Sequence, residues 1–421
     1  MEEVSIGIVG IGRVGLPLGL YYASRGVKAY GFDIDQTKIN TLLEKKMPFK
    51  EEGAKEILEG TINKTFFPTS DFSNIKKVNF IFLTLGTPVD DFLNPDYSQL
   101  NAALDSMLPY FSEGQTLVLR STISPGTTEY LKHYLETKSS FKIGENFFLA
   151  FCPERIAQGV SLTELDKLPE IVGGIDEKST EKLLFFFNQV GKEAYPTTAK
   201  NAELLKLFTN MHRYINFAIA NEFMVLAEEW GGNIHEIVEL SNKNYPRGGI
   251  KSPGFTAGPC LFKDGFFLTS GIPFPDLITT AWTINESMPG YLVNRLKKMT
   301  PLKGKKCLIL GMAFKANNDD QRASLSHKLK KILRKEMAEV MTHDVYTHDK
   351  NFENLLEQSD IIFIATPHDE YKKEIHYYKK FLKDGTLIVD IWNVFKKESI
   401  IFKVHRDLEK VILIASNIPF M

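Results

Sequence analysis

The stretch VSIGIVGIGRVG, residues 4–15, decides the fold of the N-terminal part of the chain. It reads as a short apolar strand that runs into a GxGxxG turn, after which residues 16–23 continue with helical periodicity. In such a unit the first glycine permits a tight turn, the second lets a pyrophosphate approach the backbone, and the third lets the helix pack closely on the strand. The helix N-terminus attracts the phosphate charge. We therefore predict a dinucleotide site at this turn, formed by Gly10, Gly12, Arg13, Val14 and Gly15.

The next strand extends this site. Residues 27–32 are predicted to form a second strand, which ends in Asp33, eighteen residues after Gly15. A carboxylate at this spacing is placed to hold the ribose hydroxyls and to repel a 2′-phosphate, which favours NAD over NADP as the cofactor. Lys38 is expected either to contact the cofactor or to lie on the solvated surface. The competing interpretation is a structural glycine turn followed by an incidental surface aspartate, and the joint spacing favours the NAD site.

Composition and charge exclude several classes of function. The 421 residues are 43% hydrophobic and 24% charged, which is typical of a folded protein of two or three domains. Because 51 basic and 52 acidic side chains give a net charge of -1, we expect neither a nucleic-acid partner nor a membrane partner. Acidic residues at the start and the lack of a long apolar run favour a soluble, cytoplasmic protein. Three cysteines and nine scattered histidines predict neither a disulfide framework nor a metal site.

Polar residues follow three further predicted strands. Strands at 78–83, 116–119 and 147–151 lead into turns that carry hydroxyl and charged side chains. In a doubly wound sheet the ligand lies outside the carboxyl ends of the strands. We therefore expect these turns to form a cleft for nicotinamide and substrate; their candidate residues are Thr87, Ser121, Thr122, Glu154 and Arg155.

A long helix and a breaker-rich loop follow. Residues 200–230 have the apolar stripe of one helix, on which Lys206 and Asn210 project from the same face and are able to donate to one oxygen. A solvated lysine beside an unrelated asparagine is the alternative. In the glycine- and proline-rich loop 244–264, Cys260 is interpreted as a positioned nucleophile, four residues before Asp264, with a buried core thiol as the alternative.

The C-terminal part predicts a second α/β layout. A strand at 306–310 enters a turn that contains Lys315 and Arg322 but no GxGxxG, which suits a phosphate-bearing ligand other than a second NAD. The fold class is thus α/β, with two Rossmann-like doubly wound domains joined by a long central helix and an all-helical middle domain. We place an NAD-binding domain at 1–199, a helical domain that contains Cys260 at 200–300, and a domain for the phosphate-bearing ligand at 301–421.

Taken together, several motifs resemble those of the UDP-glucose/GDP-mannose dehydrogenase family, the NAD-dependent nucleotide-sugar 6-dehydrogenases. They are, in order, GIGRVG with Asp33, the GTP turn at Gly86, STISPGT from Ser121, PE at Pro153, AELLKLFTN from Ala202, GPCLFKD from Gly258 to Asp264, and GMAFKANNDDQR from Gly311. The resemblance covers nearly the whole chain. It implies a four-electron oxidation of the C6 alcohol of a UDP-sugar to the uronic acid, through a thiohemiacetal and a thioester on a cysteine.

The resemblance also implies roles for individual residues. Cys260 would be the nucleophile, Lys206 and Asn210 would stabilise the oxyanion, and Asp264, Thr122 and Glu154 would handle protons and water. Arg247 would reach the sugar site of a neighbouring subunit in a homodimer or larger oligomer. The implied contacts to UDP-sugar are Glu154, Arg155, Lys206, Asn210, Tyr245, Arg247, Gly254, Phe255, Gly258, Phe314, Lys315 and Arg322. The implied contacts to NAD are the glycine turn, Asp33, Lys38, Thr87 and Thr122.

Three departures from the UDP-glucose pattern bear on the substrate. PEFLxE becomes PERIAQ with Gln158 as its last residue, the approach to Cys260 reads GFTAGP, and Trp392 stands where an arginine is often found. CPER at 152–155 resembles the corresponding motif of relatives that oxidise UDP-N-acetylmannosamine or UDP-N-acetylglucosamine. The resemblance implies a product that is used for surface polysaccharide, and Arg155 could donate a hydrogen bond to the acetamido group of the sugar. We favour these sugars, with UDP-glucose as the alternative.

Two other functions remain open on the sequence. One is a two-electron NAD dehydrogenase of a 3-hydroxy acid, which would not need Cys260. The other is a non-catalytic nucleotide-sugar-binding protein, against which Lys206, Asn210, Cys260 and Asp264 all argue. Counting the NADH formed per sugar distinguishes these functions. The four-electron oxidation predicts two NADH, the two-electron dehydrogenase predicts one, and the binding protein predicts none.

Overall fold

The computed structural model describes residues 4–91, 94–259, 261–269, 275–346, 351–373 and 378–404. The chain divides into two compact units. The first contains the residues up to Asn210 and a segment that begins at Lys263, and the second contains the remainder. Cys260 lies outside the described residues.

The first unit contains an eight-stranded sheet in the order β3-β2-β1-β4-β5-β6-β7-β8. All neighbouring strands are parallel except β6 and β7. The strand order reverses between β1 and β4, which is the switch point at which ligands bind in sheets of this kind. The strands are β1 (Ser5–Val9), β2 (Lys28–Phe32), β3 (Phe66–Thr69), β4 (Phe80–Leu83), β5 (Thr116–Leu119), β6 (Phe148–Phe151), β7 (Glu170–Gly174) and β8 (Ala194–Thr198).

Helices cover both faces of this sheet because its strands are apolar on both sides. In β4, Phe80 and Phe82 pack in one buried cluster and Ile81 and Leu83 pack in another, as the alternation of side chains along a strand requires. The helices are α1 (Gly15–Ser24), α2 (Gln36–Leu43), α3 (Ala54–Thr61), α4 (Ser98–Met107), α5 (Thr127–Lys138), α6 (Ser161–Lys167) and α7 (Glu177–Gln189), with 3₁₀ segments at Phe72–Lys77 and Leu108–Tyr110.

The second unit contains a five-stranded sheet in the order β10-β9-β11-β12-β13. Its strands are parallel except for β13, which pairs antiparallel with β12. The strands are β9 (Lys306–Leu310), β10 (Glu339–His343), β11 (Ile361–Ile364), β12 (Leu387–Val389) and β13 (Ile401–Lys403). The helices that follow β8 along the chain are α8 (Ala199–Glu229), α9 (Ile234–Asn242), α10 (Leu261–Thr269), α11 (Asp276–Lys297), α12 (Leu325–Lys335), α13 (Phe352–Gln358) and α14 (Asp369–Lys373), and a 3₁₀ segment spans Lys379–Phe381.

The predicted α/β fold class with two doubly wound layouts and a long central helix is confirmed. The predicted strands at 116–119 and 306–310 have the observed bounds, and the predicted helix at 200–230 is α8. The division between the two units falls inside α8 and α10. The three-domain boundaries at 199/200 and 300/301 stay a prediction. Within the residues that the structure describes, no helix is both long and apolar enough to cross a membrane.

The glycine turn after β1 generates a test of the fold. A Cβ added at Gly15 would lie 2.3 Å from the carbonyl oxygen of Gly10 and 2.4 Å from Oγ1 of Thr84, whereas a Cβ at Gly12 would meet nothing within 4 Å. We expect Gly15→Ala to lower the free energy of unfolding by about 3 kcal/mol through overpacking. Gly12→Ala, the matched control, should change it by less than about 0.5 kcal/mol. Denaturant unfolding of the full chain measures both, and equal effects would contradict the predicted packing.

Candidate active site

The turn between β1 and α1 has the geometry that the sequence predicts. Gly10 has a φ of +91°, a left-handed conformation that favours glycine, and the space outside Gly12 is open to a ligand. Thr84, at the end of β4, donates from Oγ1 to the carbonyl oxygens of Val9 at 3.0 Å and Gly10 at 2.7 Å. Sequence reasoning missed Thr84, although it immediately follows a predicted strand. These contacts hold the turn in a shape that fits a dinucleotide.

Asp33 and Lys38 form an ion pair beside this turn. Asp33 follows β2, and its Oδ2 accepts a hydrogen bond from Nζ of Lys38 at 2.5 Å while its Oδ1 accepts one from the backbone N–H of Asp35 at 3.0 Å. The guanidinium of Arg13 lies 5.0 Å from the centre of the Phe49 ring. The carboxylate is thus positioned next to the open side of the turn, as a ribose-binding group requires.

A chain of hydrogen bonds connects helix α10 to two loops at the carboxyl edge of the first sheet. Nζ of Lys263 donates to Oγ1 of Thr87 at 2.7 Å and to the carbonyl oxygen of the same residue. Oγ1 of Thr87 in turn donates to the carbonyl oxygen of Thr122 at 2.6 Å. Lys263 was not among the predicted site residues, and its position three residues after Cys260 is the signal that could have found it. The predicted Thr87 and Thr122 therefore lie together.

Asn210 and Asp264 form a buried pair in the same unit. Nδ2 of Asn210 donates to Oδ2 of Asp264 at 2.6 Å, and the Asp264 side chain is fully buried. Oδ1 of Asp264 has no hydrogen-bond partner among the described residues. Burial raises the pKa of the Asp264 carboxyl, against the opposing effects of Lys263, Asn210 and Lys206. The three predicted residues Lys206, Asn210 and Asp264 thus share one environment, which contains a buried acid with an available oxygen.

Glu203 anchors the start of helix α8 and was not predicted. Its fully buried carboxylate accepts from the backbone N–H groups of Gly126 at 2.7 Å and Thr128 at 2.9 Å, and from Oγ1 of Thr128 at 2.6 Å. These donors belong to the N-terminus of α5, where a negative charge is favourable. Glu203 precedes Lys206 and Asn210 by three and seven residues, so all three lie on one face of α8. The anchor therefore sets the position of both predicted oxyanion donors relative to the turn that carries Thr122.

Both carboxylate oxygens of Glu154 are occupied. Oε2 accepts from Nε of the buried Arg120 at 2.9 Å, and Oε1 accepts from the backbone N–H groups of Arg155 at 2.8 Å and Ile156 at 3.1 Å. Arg120 also makes a two-pronged contact with Glu170, at 2.6 and 3.0 Å. The Arg155 guanidinium donates to the carbonyl oxygen of Pro169. Sequence reasoning missed the ion pairs of Arg120 because Glu170 is fifty residues away.

Cys152 belongs to this same buried network. Its Sγ lies 2.9 Å from Nη1 of Arg120. Burial raises the pKa of the Cys152 thiol well above its ordinary value, so it is not a thiolate at neutral pH.

In the second unit, the loop that leads to residue 259 is held at two glycines. The backbone N–H of Gly254 donates to Oδ1 of Asn221 at 2.9 Å, and a Cβ added there would lie 2.2 Å from the ring of Trp392. Gly258 has a φ of +117°, and a Cβ there would lie 2.7 Å from the ring of Phe314. Phe255 between them is buried. The predicted substrate contacts Gly254, Gly258 and Phe314 thus pack together with Trp392.

The remaining predicted substrate residues are dispersed over the second unit. Arg322 donates from Nε and Nη2 to Asp320, at 2.9 and 2.6 Å, while Lys315 is exposed on the same loop after β9. Nε of Arg247 donates to the hydroxyl of Tyr245 at 3.0 Å, and both side chains are exposed. Among the residues with described positions, no cluster of three or more His, Cys, Asp or Glu side chains could hold a metal ion.

Family models match most of the chain in three consecutive segments. They are the NAD binding domain over residues 4–191, the central domain over 200–287 and the UDP binding domain over 308–397, all of the UDP-glucose/GDP-mannose dehydrogenase family. The chain belongs to this family. It is an NAD-dependent UDP-sugar dehydrogenase, and the predictions of its enzyme class and of NAD as cofactor are confirmed.

Individual relatives of the protein span almost its full length. It is 33% identical over 407 residues to UDP-N-acetyl-D-mannosamine dehydrogenase of Methanocaldococcus jannaschii, covering 93% of this chain and 92% of that one. It is 36% identical over 392 residues to the protein of the same name from Pyrococcus horikoshii, covering 87% and 90%. The solved structure of a UDP-N-acetyl-mannosamine dehydrogenase from Staphylococcus aureus matches with a TM-score of 0.82 and 29% identity, covering 93% and 95%.

The buried Asp264 generates a test that combines stability and activity. Because its pKa is raised in the folded state, its ionisation at pH 8 destabilises the fold, and this cost disappears below the unfolded pKa of about 3.9. We expect Asp264→Asn to raise the unfolding temperature at pH 8 by about 2–4 °C, the shift produced by about 1 kcal/mol, and to reduce NADH formation. The gain should shrink toward pH 4.5.

Thermal unfolding at the two pH values measures this difference. The exposed Asp91 provides the control, since Asp91→Asn should change neither the unfolding temperature nor the activity. A loss of stability at pH 8 in Asp264→Asn would contradict the destabilising role of the buried carboxylate.

Proposed function

We propose that the protein oxidises the C6 alcohol of UDP-N-acetyl-D-mannosamine to the carboxylate, with two NAD consumed per sugar. The observation that carries this substrate is the similarity over about nine-tenths of the chain to two proteins named UDP-N-acetyl-D-mannosamine dehydrogenase. The CPER sequence at 152–155 supports the same choice. UDP-N-acetylglucosamine and UDP-glucose are the alternatives.

The first oxidation needs a base and a group that stabilises an alkoxide. The glycine turn and Asp33 would hold the NAD that would supply the hydride acceptor. Asp264 is the general base in this proposal, because its Oδ1 has no partner among the described residues while both oxygens of Glu154 are held by Arg120 and backbone N–H groups. Asn210 uses one amide hydrogen for Asp264, so its second remains for the substrate oxygen. Each such donor typically contributes about 10²- to 10³-fold in kcat.

The second oxidation needs a nucleophile, since an aldehyde cannot lose hydride until a group adds to it. In our proposal the Cys260 thiolate adds to the aldehyde carbon to give a thiohemiacetal, whose hydride leaves to give a thioester. Water then attacks the thioester carbon and passes one proton to Asp264, which releases the acid and the Cys260 thiolate. The ammonium of Lys206 favours both the thiolate and the oxyanions. Thr122 and Glu154 position the water.

Recognition of UDP is assigned to the second unit, whose residues 308–397 match the UDP binding domain model. We place the phosphates at Lys315, with Arg322 supporting the same loop through Asp320. Gly254, Phe255, Gly258 and Phe314 line the sugar side, and Arg155 donates to the acetamido group with the N–H groups that Pro169 does not use. Tyr245 and Arg247 contact the sugar site of a neighbouring subunit.

Helix α8 supplies the surface for that neighbour. Ile219, Phe223 and Leu226 of α8 and Trp230 directly after it are spaced by four, three and four residues and are 39%, 40%, 49% and 83% exposed. This apolar face on one side of a helix supports a homodimer of this chain. We also propose that the enzyme acts in the cytoplasm and that its product enters surface polysaccharide.

The nucleophile is tested by Cys260→Ala. Without the thiol the second hydride cannot leave, so we expect no acid and at most one NADH per sugar, against two for the wild type. Cys307→Ala is the matched control: burial raises the pKa of Cys307 to about 12, so it is no nucleophile and two NADH should still form. NADH absorbance and mass spectrometry of the sugar give both counts, and acid formation at the wild-type rate by Cys260→Ala would refute the mechanism.

The substrate is tested by offering UDP-N-acetylmannosamine, UDP-N-acetylglucosamine, UDP-galactose and UDP-glucose in parallel with NAD. We expect kcat/KM for the mannosamine sugar to exceed that for UDP-glucose by about 100-fold or more, because a site built to hydrogen-bond an acetamido group leaves its polar groups unpaired with a hydroxyl. Arg155→Met should reduce this ratio without changing NADH per sugar. A preference for UDP-glucose would overturn the assigned sugar and leave the role of Cys260 intact.

A further inference from the structure

Three loops meet at the carboxyl edge of the second sheet, and a buried histidine joins them. The loop 311–323 follows β9, Asp344 follows β10, and residues 365–369 follow β11. His368, in the last of these, has no solvent exposure. None of the roles proposed above uses His368, so its burial beside the loop that carries Lys315 calls for an explanation.

The hydrogen bonds of His368 identify the tautomer of its ring. Nδ1 accepts from the backbone N–H of Asn317 at 2.9 Å, so it carries no proton. Nε2 lies 3.4 Å from Oδ2 of Asp344 and is therefore the protonated nitrogen, donating to that carboxylate. The bond at Nδ1 is the shorter of the two. The donor of this bond, Asn317, belongs to the loop 311–323, which also carries Lys315.

Asn317 is bound to the same segment by its side chain. Nδ2 of Asn317 donates to Oδ2 of Asp369 at 2.6 Å, and the backbone N–H of Asp369 donates to Oδ1 of Asn317 at 3.0 Å. Asn317 has a φ of +58°, a conformation that non-glycine residues adopt at a cost. Three hydrogen bonds to residues 368–369 offset that cost and fix the end of the turn.

The start of the same turn is held by Asp344, which His368 also contacts through Nε2, and by Thr366. Oδ2 of Asp344 accepts from the backbone N–H groups of Met312 at 2.6 Å and Ala313 at 3.0 Å, and Oγ1 of Thr366 donates to the carbonyl oxygen of Ala313 at 2.6 Å. Lys315 lies between the two anchored ends. A loop held at both ends before the ligand arrives loses less conformational entropy on binding.

We propose that His368 is a positioning residue for UDP: through the N–H of Asn317 it holds the turn 312–317 in the conformation that presents Lys315 to the phosphates. This inference rests on the proposed UDP role of Lys315. It assigns the effect to Nδ1 of the imidazole and not to Nε2. Asparagine and glutamine distinguish the two nitrogens, because the asparagine Oδ1 can replace Nδ1 as acceptor whereas the longer glutamine side chain matches Nε2.

The test is calorimetric titration of the full-length protein with UDP alone and with NAD alone. We expect His368→Ala to raise the Kd for UDP about fivefold or more and to leave that for NAD within about twofold, because the NAD site lies in the other unit. His368→Asn should bind UDP nearly as the wild type does, and His368→Gln should resemble His368→Ala. At saturating UDP-sugar, His368→Ala should reach the kcat of the wild type, so its weaker UDP binding appears as a higher KM.

His343→Ala is the matched control for the removal of a buried histidine. The His343 ring stacks on Phe352 with ring centres 4.1 Å apart, and its Nδ1 lies 3.0 Å from the hydroxyl of Tyr371, and neither of these partners belongs to the turn 312–317. It should lower the unfolding temperature and keep the affinity for UDP. Three outcomes would each overturn the proposal. They are an equal loss of UDP affinity in His343→Ala, an unchanged UDP affinity in His368→Ala, and a UDP affinity that glutamine at position 368 restores and asparagine does not.

Two further outcomes concern the proposed function instead. Absence of UDP binding by the wild-type protein would refute the proposed UDP site, and the role of His368 with it. Unchanged UDP affinity in Lys315→Met would remove Lys315 from that site, whereas a loss in Lys315→Met together with none in His368→Ala would overturn the positioning role alone.

Discussion

The buried carboxylate of Glu203 is the interaction on which the arrangement of the first unit depends. A helix of thirty-one residues such as α8 has many ways to pack on a sheet, and hydrophobic contact alone does not fix its rotation. Three hydrogen bonds from the N-terminus of α5 to Glu203 do fix it, because moving the carboxylate would leave a buried charge without partners. Asn210 then reaches Asp264 two turns later.

Charged groups are buried around this site, and each has a geometric consequence. Arg120 connects the end of β5 to Glu154 after β6 and to Glu170 at the start of β7, so three neighbouring strands are held by one guanidinium. A buried network of this kind contributes little net stability compared with apolar packing, but breaking one contact in it is costly. Its presence where the strands end is understandable, since the loops that follow must keep a fixed geometry for the reaction.

The sequence predicted the features that depend on local spacing. The glycine turn, Asp33 and the shared face of Lys206 and Asn210 all follow from the periods of strands and helices, and the structure has them. The partners of Glu203, Arg120 and His368 were not predicted, because they join residues that are 24 to 77 positions apart and no local pattern encodes such a pairing. Burial of the polar groups was the only available signal, and it requires the structure.

The two sheets place an aspartate at equivalent positions and use it differently. Asp33 follows β2 and Asp344 follows β10, each strand being the neighbour of the first strand in its layout. Asp33 keeps its carboxylate beside an open glycine turn. Asp344 accepts from the N–H groups of Met312 and Ala313, the groups that a phosphate would use in a glycine turn. A carboxylate bound there excludes a pyrophosphate by charge and by volume. The second layout therefore cannot bind a dinucleotide in the manner of the first, which agrees with the proposed position of the UDP phosphates farther along the loop, at Lys315.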